Sequence, residues 1–253
     1  MHIVICEMPQ GCCVVPLILR LPKIHVSMRT RNEHGRSITI ARTTGIWYLL
    51  LAISGMLGFL FLHPRVYVAD PQQTVLNLVE GETLARLRLL AEFAIIFTQA
   101  LTAIWFYRLF RDSNEWAALA TAIWGTVNAV VIMFSAIAMG VAIETALSSL
   151  DMEVKVAHID LLTGLMSNAW GIGSLFFGLW LIPMGYIITS SKRMPIWLGR
   201  ILIIGGVGYV LSACINYAGI SGSWVGTLTI PATIGEFWII GYLLIFGIRP
   251  VQD

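Results

Sequence analysis

The sequence predicts an all-α, polytopic membrane protein: six transmembrane helices in one bundle, with a short interfacial helix on the outer side. Three observations predict it. Of 253 residues, 57% are hydrophobic and only 12% charged, where a soluble domain carries about a quarter charged residues. The mean hydropathy is +0.81. Six separate stretches stay apolar over the roughly 20 residues that a helix needs to cross a bilayer. Composition therefore overrides the one or two soluble domains that length alone would suggest.

Residues 1–39 read as a disordered cytoplasmic leader, and 40–249 as the transmembrane domain. Met28 is followed by the basic stretch RTRNEHGRSITIARTTG, so residues 1–27 read as an upstream extension of a chain starting there. Within them, GCCVVPLILRLP has no basic segment before it and is interrupted by Pro16, which argues against a signal-peptide core. The predicted spans are Gly45–Leu62, Leu84–Phe106, Ala117–Val141, Leu161–Thr189, Ile196–Asn216 and Val225–Ile248. The fourth is long enough to tilt or to bend at Pro183, which has no N–H for the carbonyl one turn earlier. Between the first two spans, Asp70 offers an N-cap, Pro71 a first helical residue and Gly81 a break, which predicts a short surface helix.

Lysine and arginine orient the bundle. With the N-terminus inside, Arg20, Lys23, Arg29, Arg31, Arg36, Arg42, Arg108, Arg111, Lys192, Arg193, Arg200 and Arg249 fall on the cytoplasmic side. Only Arg65, Arg86, Arg88 and Lys155 fall outside. The positive-inside rule then places both termini in the cytoplasm, in a plasma (inner) membrane.

The polar residues inside the spans are the candidate site. Glu236 sits in PATIGEFWIIGYLLIFG, where a charge costs at least ~2.5–3.5 kcal/mol, so it should be neutral, paired or facing a cavity. Arg88, Glu92 and Gln99 share one face of the second span. Arg86 lies nearly opposite Arg88 and has Glu82 one turn before it, in the favourable order. Depth counted along the last span puts the Glu236 carboxylate in the outer half of the membrane, within reach of Arg86 or Arg88. Asn168 and Asn128 could join that layer.

Three stretches carry a family resemblance: TVLNLVEGETLARLRLLAE, SLFFGLWLIPMGYIITSSKRMPIWLGRILIIGGVGYVL and PATIGEFWIIGYLLIFG. They resemble a bacterial integral membrane family known as domain of unknown function 4386, over roughly Ile40 to Gly247. The resemblance implies a polar set at Asn77, Glu82, Arg86 and Glu92, and a Pro-x-x-x-Gly-Glu motif at Pro231, Gly235 and Glu236. It also implies an Arg and a His where this chain has Gly125 and Trp180. The family pattern favours Arg86 as the shared arginine; the helical wheel favours Arg88.

Several functions are argued against. A net charge of +2 with no basic run among aromatics gives no reason to expect nucleic acid. GISG (Gly219–Gly222) fits a serine-protease pattern, but His2, His25, His34, His63 and His158 all fall outside the predicted spans, so no base, haem or zinc ligand is expected. No catalytic residue, cofactor or metal is expected, and an enzyme ranks third. The expected partners are membrane lipids and a small-molecule ligand. Two readings stand: a small binding or transport-type bundle with a pocket lined by Arg86 or Arg88, Glu92, Asn168 and Glu236, or a non-catalytic accessory protein whose buried charges clamp helices.

Overall fold

Each apolar stretch forms a helix. The computed structural model describes residues 24–220 and 222–250, with the backbone alone for 24–34. Of the extension expected over residues 1–27, residues 1–23 lie outside them. Helix α1, Ile24–Met56, already includes residues 24–39 of the expected leader. A π-helical segment, Leu57–Leu62, and a last turn, α2 (His63–Val66), continue it. Pro64 accounts for the change of winding. Its missing N–H and its ring disrupt the normal bond to the carbonyl one turn back, and the backbone adapts with His63 N–H donating to Gly58 O, five residues earlier.

The short helix α3, Pro71–Glu80, forms as its capping residues dictate. The Asp70 carboxylate accepts from Gln72 N–H at 3.0 Å, Pro71 opens the first turn, and Gly81 closes the helix. Thr74, Val75 and Leu78 are its buried face. The remaining spans are α4 (Glu82–Phe110), α5 (Glu115–Leu147), α6 (Met152–Ser191) and α7 (Ile196–Tyr217). α6 runs through Pro183 as one continuous helix. The last crossing is divided into a short α8 (Ser223–Thr227) and α9 (Ile230–Ile245). Before α8, Gly219 takes a left-handed φ of 79°.

The six long helices form a closed ring in chain order: α1 on α4, α4 on α5, α5 on α6, α6 on α7, α7 on α9, and α9 back on α1. Large apolar side chains such as Phe97, Ile137 and Ile204 stand outward at about 60% exposure, on the wall that hydrocarbon would cover. Inside, Tyr48, Phe106 and Trp180 pack edge to face with centroids 5.4–5.9 Å apart. Glycines set the tightest contacts. A Cβ on Gly178 would lie 2.5 Å from the Gly206 carbonyl oxygen, and one on Gly208 would overlap the Leu228 carbonyl. Among the described residues six helices are long and apolar enough to cross a bilayer. The chain is a multi-pass membrane protein of all-α class.

Candidate functional site

The second span brings its charges together on one face. Arg88 and Glu92, one turn apart on α4, are both fully buried and pair at 2.8 Å. Trp170 on α6 donates its indole N–H to the other Glu92 oxygen at 2.9 Å. Phe59, in the π-helical segment, lies under the Arg88 guanidinium at 5.0 Å and meets Trp170 edge to face at 4.2 Å. Gly58 lies against this group, since a Cβ there would stand 3.4 Å from Arg88 Nη1, in ordinary contact. Three helical elements are thus tied through one ion pair. His63, expected in a loop, continues the first span and stacks between Phe59 and Tyr67. Burial pushes the Tyr67 phenol up from its ordinary value.

The ion pair expected between Glu236 and an arginine does not form among the described residues. Glu236 instead accepts a 2.6 Å hydrogen bond from the Tyr48 hydroxyl. The reason is level. Gly45 packs against Leu243 and Leu244 where α1 and α9 run antiparallel. Counting along both helices from that contact sets Glu236 opposite Ala52, whereas Arg88 packs at Gly58, about 9 Å further along the axis. Sequence counting placed both groups in one layer because it could not see the offset between helices.

The other expected members also separate. Arg86 is 58% exposed and pairs with Glu82 at 2.7 Å, so Arg88 is the arginine that faces the bundle, against the family-based preference. Asn168 is on the exterior of α6, where it donates to Gly164 O and its backbone carbonyl accepts from the Tyr217 hydroxyl at 3.1 Å. Asn77 ties α3 to α2 by donating to Val66 O at 3.3 Å. Gln99 and Asn128 are fully buried, and Gln99 donates to Gly125 O at 3.4 Å. Gly125 and Trp180, where the resemblance implies charged groups, pack on each other: a Cβ on Gly125 would meet the indole at 2.8 Å.

Glu236 faces a cavity of about 330 Å³. Its walls come from α1, α4, α6, α7 and α9, and six of the lining side chains are aromatic: Tyr48, Phe59, Trp170, Phe177, Tyr209 and Phe237. Met56 on α1 and Phe237 on α9 line it too, and both are exposed on the outer wall of the ring, at 38% and 51%. The cavity therefore reaches the apolar exterior between these two helices. Tyr48 and Trp170 escaped the sequence reading. A phenol or indole in an apolar span needs a hydrogen-bond partner, and that need was the available signal. Among the described residues no group of three or more His, Cys, Asp or Glu could hold a metal.

An uncharacterized protein of Archaeoglobus fulgidus is 33% identical to this chain over 48 residues, which is 19% of the chain and 30% of that protein. The chain thus spans less than a third of that relative's length. No solved structure matches. The sequence model of the family described as Domain of unknown function (DUF4386) matches residues 43–247, nearly the whole helical ring, and the chain belongs to that family.

Proposed function

We propose that the protein is a membrane-embedded binding protein whose ligand, a small molecule with a large apolar part, enters the α1–α9 cavity sideways from the lipid phase. The observation that carries this is the cavity itself: about 330 Å³, apolar with six aromatic side chains, containing one carboxylate, and reaching the outer wall between Met56 and Phe237. Ligand sites are commonly concave, mostly apolar and furnished with a few convergent polar groups, and an ionisable residue within a membrane marks function by default. The clamp reading keeps the Arg88–Glu92–Trp170 set, where Glu92 is held by Arg88 Nη1 and the Trp170 indole, the guanidinium faces the Phe59 ring, and the set borders the cavity only through Phe59 and Trp170. In this reading the two polar sets divide the work, one fastening helices and the other meeting ligand. The setting is the cytoplasmic membrane with both chain ends in the cytoplasm, as the distribution of Lys and Arg favours.

A diazirine-bearing alkyl probe in reconstituted membranes tests the reading. Crosslinks should concentrate on the segments 55–59 and 236–240, and Ser174→Trp, which fills the cavity, should abolish that enrichment. Labelling spread evenly over outward residues such as Phe93 and Phe97, unaffected by Ser174→Trp, would overturn it.

A further inference from the structure

Resting on that reading, we infer that the ligand of the α1–α9 cavity is a lipophilic cation: an amine or quaternary ammonium on an apolar body. Of the cavity's fourteen lining residues, Glu236 is the one acidic residue and none is Lys, Arg or His. Its carboxylate has one donor among the described residues, Tyr48 Oη on Oε1. The other polar linings add little for an anion. Ser174 donates to Trp170 O, and the Trp170 N–H is held by Glu92. The Tyr209 hydroxyl, on α7, is the remaining donor in the lining.

Arg88 is not among the residues that line the cavity. Arg88 is paired to Glu92, and the rings of Phe59 and Trp170 line the cavity at that side. A carboxylate in an apolar chamber is complemented by a ligand that brings the positive charge, because each charge then relieves the other's desolvation. The surrounding rings act in the same sense. Six aromatic side chains line the space, and aromatic faces attract ammonium groups through their quadrupoles. An anionic ligand would meet Glu236 as a like charge, and a neutral one would leave Oε2 without a counter-charge.

The experiment compares three molecules of one chain length, decyltrimethylammonium, decanol and decanoate, as competitors of the diazirine probe in reconstituted membranes. Concentrations are corrected for each molecule's partition into protein-free vesicles. The cation should compete at a concentration about ten-fold or more below the alcohol, with decanoate the weakest. In Glu236→Gln, the cation should lose about ten-fold while the alcohol is unchanged. Equal competition by all three, or preference for decanol or decanoate, overturns the cation inference and leaves the cavity reading standing. Failure of the probe itself to label the cavity overturns both. Should Glu236→Gln not fold, the wild-type ranking and Tyr209→Phe decide: Tyr209→Phe keeps the aromatic face and should preserve the preference for the cation, and loss of that preference would overturn the inference.

Discussion

Two carboxylate–partner pairs inside the ring differ in how visible they are to sequence. Arg88 and Glu92 lie one turn apart, so helical periodicity alone puts them on one face with Gln99, and all three are buried. Tyr48 and Glu236 are 188 positions apart, and only the packing of α1 on α9 makes them neighbours. That pair was not legible, and the arginine assigned to Glu236 in its place was wrong. The energetic consequences differ as well. Arg88→Leu should destabilise by about 3–5 kcal/mol because it strands a buried carboxylate, and Arg88→Leu with Glu92→Leu should cost less than either alone. Arg86→Ala should cost under about 1 kcal/mol, since its pair with Glu82 is exposed. Thermal unfolding in detergent measures all of these, and simple additivity of the Arg88 and Glu92 effects would contradict the pairing. Tyr48→Phe removes the hydrogen bond to Glu236 and should lower stability by about 1–3 kcal/mol in the same assay.

Among elements, termini with chemical punctuation were legible and the offsets between helices were not. Asp70, Pro71 and Gly81 marked α3 to the residue, because each acts on backbone groups within one turn. The π-helical winding before Pro64 was missed, although the proline was there to read; several backbone responses to it are open, and the packing of Phe59 and Gly58 around Arg88 accompanies the one adopted. Gly178, Gly205, Gly206 and Gly208 stand where a Cβ would meet the backbone of another segment, and such close approaches give a paired prediction. Gly208→Ala drives a methyl group into the Leu228 carbonyl and should cost about 1–3 kcal/mol. Gly140→Ala on α5 meets nothing within 4 Å and should be neutral or stabilising by up to about 1 kcal/mol. Melting temperatures of the two variants falling together would contradict the packing of α7 on the Leu228 backbone, between α8 and α9.

For the whole molecule, six apolar helices of spanning length were legible because they rest on composition and length, which the ring does not alter. Closure of that ring, α9 onto α1, was not legible, since no periodicity records which spans are neighbours. Orientation is tested by single cysteines placed in a chain whose native cysteines, including exposed Cys214, are replaced. Cysteines at Gln73 and Glu153 should react with a membrane-impermeant maleimide on intact cells. Cysteines at Ser113 and Ser191 should react only after permeabilisation. The reverse pattern would invert the bundle.

Ring closure also imposes an order on biogenesis. The first span inserts with a groove at Gly45 and a phenol at Tyr48 whose counterparts are made only when the last described span emerges. Until then the cavity has no α9 wall, and five inserted helices form an open crescent. A nascent chain halted before α9 would present that unfilled groove to membrane chaperones and proteases, so the contact that builds the cavity also closes the ring. Supplying α9 as a separate polypeptide to a chain ending after α7 should restore protease resistance, and Glu236→Leu in the supplied piece should weaken that rescue.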